Sequence, residues 1–240
     1  MLCERKALVL LQMRKNMIEK EKRLTLFAGH YGSGKTNIAV NYALYLAKQG
    51  KKVCIADLDI VNPYFRTKDS EKELAEHGIH LVSPQYANSN VDLPALPAES
   101  YRLVQDKSTY GIMDIGGDDR GAYALGRFAS AIKAEGDYRM AFVVNCYRPL
   151  TSNVDDTVEI MREIESACGL QFNCIVNNSN LGPETTEKTV IDSLAFVEEL
   201  CRVTGLPLWM HTAEEKVAQN LHGMPVLSMT LQKKYFDLPE

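Results

Sequence analysis

Gly29-His30-Tyr31-Gly32-Ser33-Gly34-Lys35-Thr36 spells G-x-x-x-x-G-K-[ST], the pattern of a phosphate-binding loop. Glycines at these spacings let backbone N–H groups curl around phosphate oxygens, at dihedrals a side chain resists. A lysine in the position of Lys35 reaches the β- and γ-phosphates, and a hydroxyl in the position of Thr36 ligates Mg²⁺. The flanks agree with the motif. Arg23 to Ala28 is a short run rich in strand formers, and Thr36 to Gln49 carries Ile38, Ala39, Tyr42, Ala43, Tyr45 and Leu46 at helical spacings before Gly50. A strand, a glycine loop and a helix N-terminus in that order form a ready anion site. The glycines read G-x-x-G-x-G, which argues against the G-x-G-x-x-G of a dinucleotide fold.

Outward from the loop, strand and helix patterns alternate. Strand signals fall at 53–56 (ending at Asp57), 79–82, 112–113 (ending at Asp114), 140–144, 172–176 and 206–210. Helical patterns cover 69–77, 122–135, 151–168 and 187–203, with a further helix from about Ala213. Residues 83–98, with Pro84, Pro94 and Pro97, read as a long surface loop. Short βα units of this kind predict a single-domain α/β fold of the P-loop NTPase type, a mostly parallel sheet with helices on both faces. The domain is expected to span residues 23–240, preceded by an N-terminal extension over 1–22. That extension reads as a frayed or amphipathic helix, or as an addition upstream of Met17.

Composition narrows the function classes. The 240 residues are 45% hydrophobic and 24% charged with a net charge of −4, an ordinary globular balance without general attraction for nucleic acid. No apolar run approaches the roughly 20 residues of a membrane span. The six cysteines include no C-x-x-C pair and read as reduced core residues, so a cytoplasmic location is expected.

In parallel sheets of this type the ligand sits beyond the carboxyl ends of the strands. Those ends deliver the loop at Gly29, Asp57 with Asp59, Asp114 with Gly117, Asn145 with Arg148, and Asn177 with Asn178. Asp114, at the end of an apolar strand, reads as the acid that meets Mg²⁺ through water, and Gly117 completes a D-x-x-G whose N–H senses a γ-phosphate. Each has a plainer alternative, a helix-capping aspartate or turn residues.

The glycine loop, the Asp57-Leu58-Asp59 at a strand end, the D-x-x-G and the phrase His222-Gly223-Met224-Pro225-Val226 together resemble the MinD/ParA group of deviant-Walker-A ATPases and the related CobQ/CobB domains, from about Leu24 to Leu227. The resemblance implies ATP and Mg²⁺ as ligands. It gives Asp59 the task of orienting the attacking water and Asp57 that of supporting the metal with Thr36 and Asp114. It assigns base reading to the Asn177-Asn178 pair, where a side-chain amide suits adenine and the [NT]-K-x-D of guanine readers is missing, and it sets Pro207 against the base or in a rigid turn. It also implies a homodimer bridged by ATP. In that arrangement a signature lysine follows the first glycine, and here His30 stands in its place, an imidazole instead of a fixed ammonium. Arg66 and Arg148 are candidates for a replacement charge. Cluster-ligating cysteines and a basic amphipathic C-terminal helix, marks of iron–sulfur and membrane-bound relatives, are not expected.

Lys35 and Asp59 are therefore the expected catalytic residues. The expected function is a Mg²⁺-dependent ATPase whose ATP and ADP states act as a switch on an unidentified protein partner. Two alternatives remain at this level: a CobQ/CobB-like kinase or ligase of a small metabolite, and a module that holds ATP without turning it over.

Overall fold

A computed structural model describes residues 21–58, 67–83, 98–117 and 119–231. Its centre is an eight-stranded sheet in which every pairing is parallel. The strands are β1 (Leu24–Ala28), β2 (Val53–Leu58), β3 (His80–Val82), β4 (Tyr110–Ile115), β5 (Tyr138–Val144), β6 (Cys174–Asn177), β7 (Leu208–Glu214) and β8 (Val226–Met229). Their order is β3-β2-β4-β1-β5-β6-β7-β8. The chain thus lays β2 and β3 on one side of β1, returns to insert β4 between β2 and β1, and then builds β5 to β8 on the other side, so β1 lies at the switch point where parallel sheets open a crevice for ligands.

The helices are α1 (Lys35–Lys48), α2 (Glu71–Glu76), α3 (Ala98–Gln105), α4 (Asp119–Gly126), α5 (Ala129–Glu135), α6 (Val154–Cys168), α7 (Glu187–Asp192), α8 (Leu194–Thr204) and the single turn α9 (Glu215–Ala218). Strand alternation sorts the core into two layers. Leu24, Leu26 and Ala28 of β1 and Met140, Phe142 and Val144 of β5 face Leu103, Leu125, Ile132, Met161 and Leu200. Phe27, Ile55, Ala141 and Val143 point the other way, onto Ile38, Tyr42 and Leu46 of α1 and onto Trp209. Phe27 stacks on Trp209 at 6.0 Å and Tyr42 meets Trp209 edge-on at 5.2 Å. Both faces are therefore covered, which is why the central strands are mostly apolar on both sides, with Thr25 of β1 buried among them.

Several expected elements differ in extent. The 122–135 helix is two helices, because Phe128 enters the core fully buried and the chain tightens there through Ala124 O to Arg127 N and Leu125 O to Phe128 N. The 187–203 helix breaks at Ser193, whose hydroxyl is drawn inward: it donates to Val190 O and accepts from Asn177 Nδ2. The last expected strand, 206–210, runs on to Glu214, and β8 and α3 were not anticipated. Asp57 and Asp114 lie inside their strands, one residue short of the ends. Most of the 83–98 loop and the 1–22 extension, with Met17, lie outside the described residues. Cys54, Cys168 and Cys174 are buried and Cys146 and Cys201 half-buried, all as free thiols. No helix among the described residues is long and apolar enough to cross a membrane.

A buried polar network joins β6 to β7. Asn177 Nδ2 donates to Ser193 Oγ (2.9 Å) and lies 3.0 Å from His211 Nδ1, while its Oδ1 accepts from Ser179 N. His211 is 2% exposed, and burial pushes its pKa down from 6.5 to about 4. Its Nδ1 acts as the acceptor, so the network requires the neutral ring. Between the folded and unfolded values the unfolded chain binds a proton that the native state refuses, and stability falls as pH falls through that window. Acidification from about pH 7 to about pH 5 is expected to cost roughly 2 kcal/mol through this group. Urea midpoints of wild type and His211→Gln at the two pH values check it: the variant should show the shallower dependence.

Candidate nucleotide-binding site

The glycine loop leaves β1 at the switch point and re-enters helical geometry at Lys35. Gly34, the N-cap of α1, has φ 88°, and a β-carbon there would collide with Asn178 Nδ2, so neither its conformation nor its surroundings admit a side chain. Gly29 sits against the carbonyl of Val143 on β5. Within the loop Ser33 N donates to His30 O at 3.2 Å, and Lys35 Nζ donates to the same carbonyl at 3.0 Å. Lys35 and Thr36 are buried at the start of α1. Ser33 Oγ is buried with no hydrogen-bond partner among the described residues. His30 lies half-exposed with Nδ1 donating to Tyr31 O, and Tyr31 is exposed at the mouth.

One side chain holds this loop from the flank. Asn178 Nδ2 donates to Ser33 O at 2.6 Å, its Oδ1 accepts from Thr212 Oγ1 at 2.6 Å, and its own N–H donates to Val144 O at 2.8 Å. The two expected base readers thus separate. Asn178 lines the cavity but spends its amide on the loop and on β7, whereas Asn177 is locked in the His211 network. Asn145, fully buried after β5, ties the next loops together: its amide donates to Asn180 O and accepts from Tyr147 N and Asn180 N.

On the other side of β1 stand the acids. Asp57 and Asp114 are paired in register on β2 and β4, 3% and 1% exposed, and Thr67 Oγ1 donates to Asp114 Oδ2 at 3.0 Å. Two adjoining buried carboxylates are stable as anions only beside positive charge. Among the described residues no group of three or more His, Cys, Asp or Glu side chains gathers. Mg²⁺ keeps waters and nucleotide phosphates as most of its ligands and takes few from the protein. Thr36, Asp57 and Asp114 are the residues that would hold it. Beyond β4, Gly117 comes down on the loop: a β-carbon on it would stand 2.6 Å from Tyr31 N and 2.9 Å from Lys35 Nζ.

A cavity of about 290 Å³ opens along the loop, from Gly32, Lys35 and Thr36 to Pro183, Thr212 and Glu214, with Arg148 at its rim. Pro207 is not part of it: it precedes β7 at the opposite edge of the sheet, where its carbonyl accepts from Ile175 N. Pro183, Thr212 and Glu214 escaped the sequence reading because the strand carrying two of them was ended too early. The polar His211-Thr212 pair hides its continuation. His222 to Pro225 form the turn into β8, with His211 N donating to Pro225 O. Asp59 and Arg66 lie outside the described residues.

A glycine loop anchored at the switch point of a parallel sheet defines a P-loop NTPase domain. The chain belongs to the CobQ/CobB/MinD/ParA nucleotide-binding domain family, whose model matches residues 24–181. No curated protein matches it significantly. Among solved structures it is similar to the 54 kDa signal recognition particle protein of Aeropyrum pernix K1 in complex with GDP. That likeness has a TM-score of 0.57 and 16% identity, over 87% of this chain and 46% of the other. The chain is also similar to FtsY of Thermotoga maritima (TM-score 0.57, 16% identity, 88% and 70% coverage) and to chloroplast FtsY of Physcomitrella patens (0.55, 14%, 84% and 65%). The chain thus spans under half the length of the first of these, and at such identities the likeness is one of fold.

The Gly117 contact yields a direct test. Gly117→Ala is expected to displace Lys35 or Tyr31 and weaken nucleotide binding at least tenfold, about 1.4 kcal/mol, with little change in melting temperature. Titration of a fluorescent nucleotide beside thermal unfolding measures both.

Proposed function

We propose that this chain is a Mg²⁺-dependent ATPase that works as a nucleotide-dependent switch on a protein partner. The observation that carries the reading is the contact of Gly117 with Tyr31 and Lys35. Gly117 lies against Lys35, the residue to which the loop motif gives the outer phosphates, and this supports a reading in which a gained or lost γ-phosphate acts first on the backbone at Gly117. Switches of this kind run on such order changes in a short segment.

The residues divide the work by position. Backbone N–H groups of Gly32, Gly34, Lys35 and Thr36, at the start of α1, bind phosphate oxygens. Lys35 moves its donated hydrogen bond from His30 O to phosphate. Asp57 and Asp114, in register on β2 and β4, are assigned with Thr36 to the cation. Mg²⁺, when bound, neutralises charge on the β- and γ-phosphates and orients them. Asp59, one residue past the end of β2, is assigned the attacking water on the strength of the family resemblance. The base falls to the far end of the cavity, at Pro183 and Thr212 to Glu214. ATP is preferred over GTP because Asn177-Asn178-Ser179-Asn180 lacks the lysine and aspartate of a guanine-reading strand end.

Two variants separate binding from turnover. Lys35→Ala is expected to lower ATP affinity a hundredfold or more, roughly 3 kcal/mol, with the fold retained. Asp59→Ala is expected to bind ATP as wild type does and to release phosphate at under about a hundredth of its rate, a loss of the size that removal of a water-positioning group produces. Phosphate release with ATP and GTP, followed with each protein, gives both answers. Unchanged release by Asp59→Ala would take that residue out of the mechanism.

A further inference from the structure

We infer that Arg148 is a catalytic residue acting in cis, a second cation that closes on the transferring phosphoryl group of the nucleotide bound to its own chain. The inference rests on the reading of the cavity as the nucleotide site.

Charge is distributed unevenly along that cavity. Among its described lining residues the cations are Lys35 and Arg148, both at the glycine-loop end, and the one carboxylate is Glu214, at the other. Arg148 Nε stands 3.8 Å from where a β-carbon on Gly32 would be, so the guanidinium lies over the face of the loop whose N–H groups serve phosphate. It forms no ion pair or hydrogen bond among the described residues. A free arginine held over a phosphate loop differs from an ordinary surface arginine if its backbone is fixed, and here it is. Arg148 N donates to Asn145 O at 3.1 Å, Thr151 N donates back to Arg148 O at 3.0 Å, and Thr151 Oγ1 donates to Asn145 O at 2.6 Å. Asn145 itself is fully buried and fastened to Asn180. Pro149 adds a local restraint, and Arg148 sits accordingly in an extended conformation (φ −95°, ψ 140°). Only the side chain remains free to move, on a pedestal bonded to the same asparagine loop that grips Ser33.

The chemistry has a use for such a group. In hydrolysis the water oxygen bonds to the γ-phosphorus while the bond from that phosphorus to the oxygen bridging it to ADP breaks. The electron pair leaves with ADP, and the water's proton ends on phosphate or in solvent. Charge spreads over the γ-oxygens and the leaving oxygen as this happens, and a planar guanidinium with its fork of donors matches them. Cations supplied to P-loop sites in this way act mainly on the rate.

The test compares wild type, Arg148→Ala and Arg148→Lys under ATP and Mg²⁺. Arg148→Ala is expected to lose a hundredfold or more in kcat with ATP affinity changed less than threefold, and Arg148→Lys to lie between. ADP with aluminium fluoride, a mimic of the transferring phosphoryl group, should bind wild type more tightly than ADP alone does, and Arg148→Ala should lack that gain. Mixing Arg148→Ala with Lys35→Ala should restore no activity, because each intact Arg148 then sits in a chain that binds no nucleotide. Rescue by mixing would place the arginine across a dimer and overturn the inference. So would an unchanged kcat, or a loss of affinity as large as the loss of rate. A wild type that binds nucleotide but does not turn it over leaves the fluoride comparison to decide: equal gains in both proteins would reject Arg148. Failure of wild type to bind any nucleotide would instead remove the site reading itself.

Discussion

The site depends on how one amide is spent. Asn178 joins the carbonyl of Ser33, the hydroxyl of Thr212 and, through its own N–H, the carbonyl of Val144. Those three groups belong to the glycine loop, β7 and β5. Without the amide two buried polar groups lose their partners, at about 1–3 kcal/mol each, and the loop loses its lateral support. The same contact explains why Gly34 has no side chain: the space is filled by Asn178. Glycine is thus dictated at that position twice, by φ and by a neighbour 144 places later in the chain.

Buried polarity is concentrated at one edge of the sheet for a physical reason. Along the strands both faces are sealed by helices, and a polar side chain there has nothing to bond. At the carboxyl ends the ladder stops and backbone groups become free to meet Asn145, Asn177, Asn178 and Thr212. Each of these is nearly inaccessible to solvent, yet each is bonded. The resulting shell is rigid without being apolar, which suits a surface that has to present donors to phosphate.

Much of this was legible in the sequence, and what was not follows from the range of the signals. The loop motif, the apolar strands and the acids near their ends are local features, and the fold, the start of α1 at Lys35 and the neighbouring places of Asp57 and Asp114 on β2 and β4 follow from them. Asn177 and Asn178 show the limit. They are adjacent and chemically identical, but strand alternation sends them to opposite faces, one to Ser193 and His211 and one to Ser33. No property of the dipeptide tells which is which. Helix breaks at Phe128 and Ser193 were hidden because the apolar period continues across them. The cavity wall from Pro183 to Glu214 lies beyond the residues that the family model matches, 24–181, so neither motif nor family marks it.

That division has a consequence for how the two ends of the cavity differ. The phosphate end is built from groups whose positions are over-determined: Lys35 follows a glycine that cannot be replaced, Gly117 leaves no room above it, and Arg148 stands on a loop bonded at several points. The far end is built from strand termini and a 3₁₀ turn at Gly182–Glu184, held by Asn180 Oδ1 on Gly182 N and by Thr185. Glu214, a carboxylate that lines it, is partly exposed beside Lys216. Phosphate geometry is the same for every nucleotide, whereas bases and acceptors vary. A chain that fixes the first tightly and leaves the second to short surface turns can change its specificity without disturbing the machinery that handles phosphate.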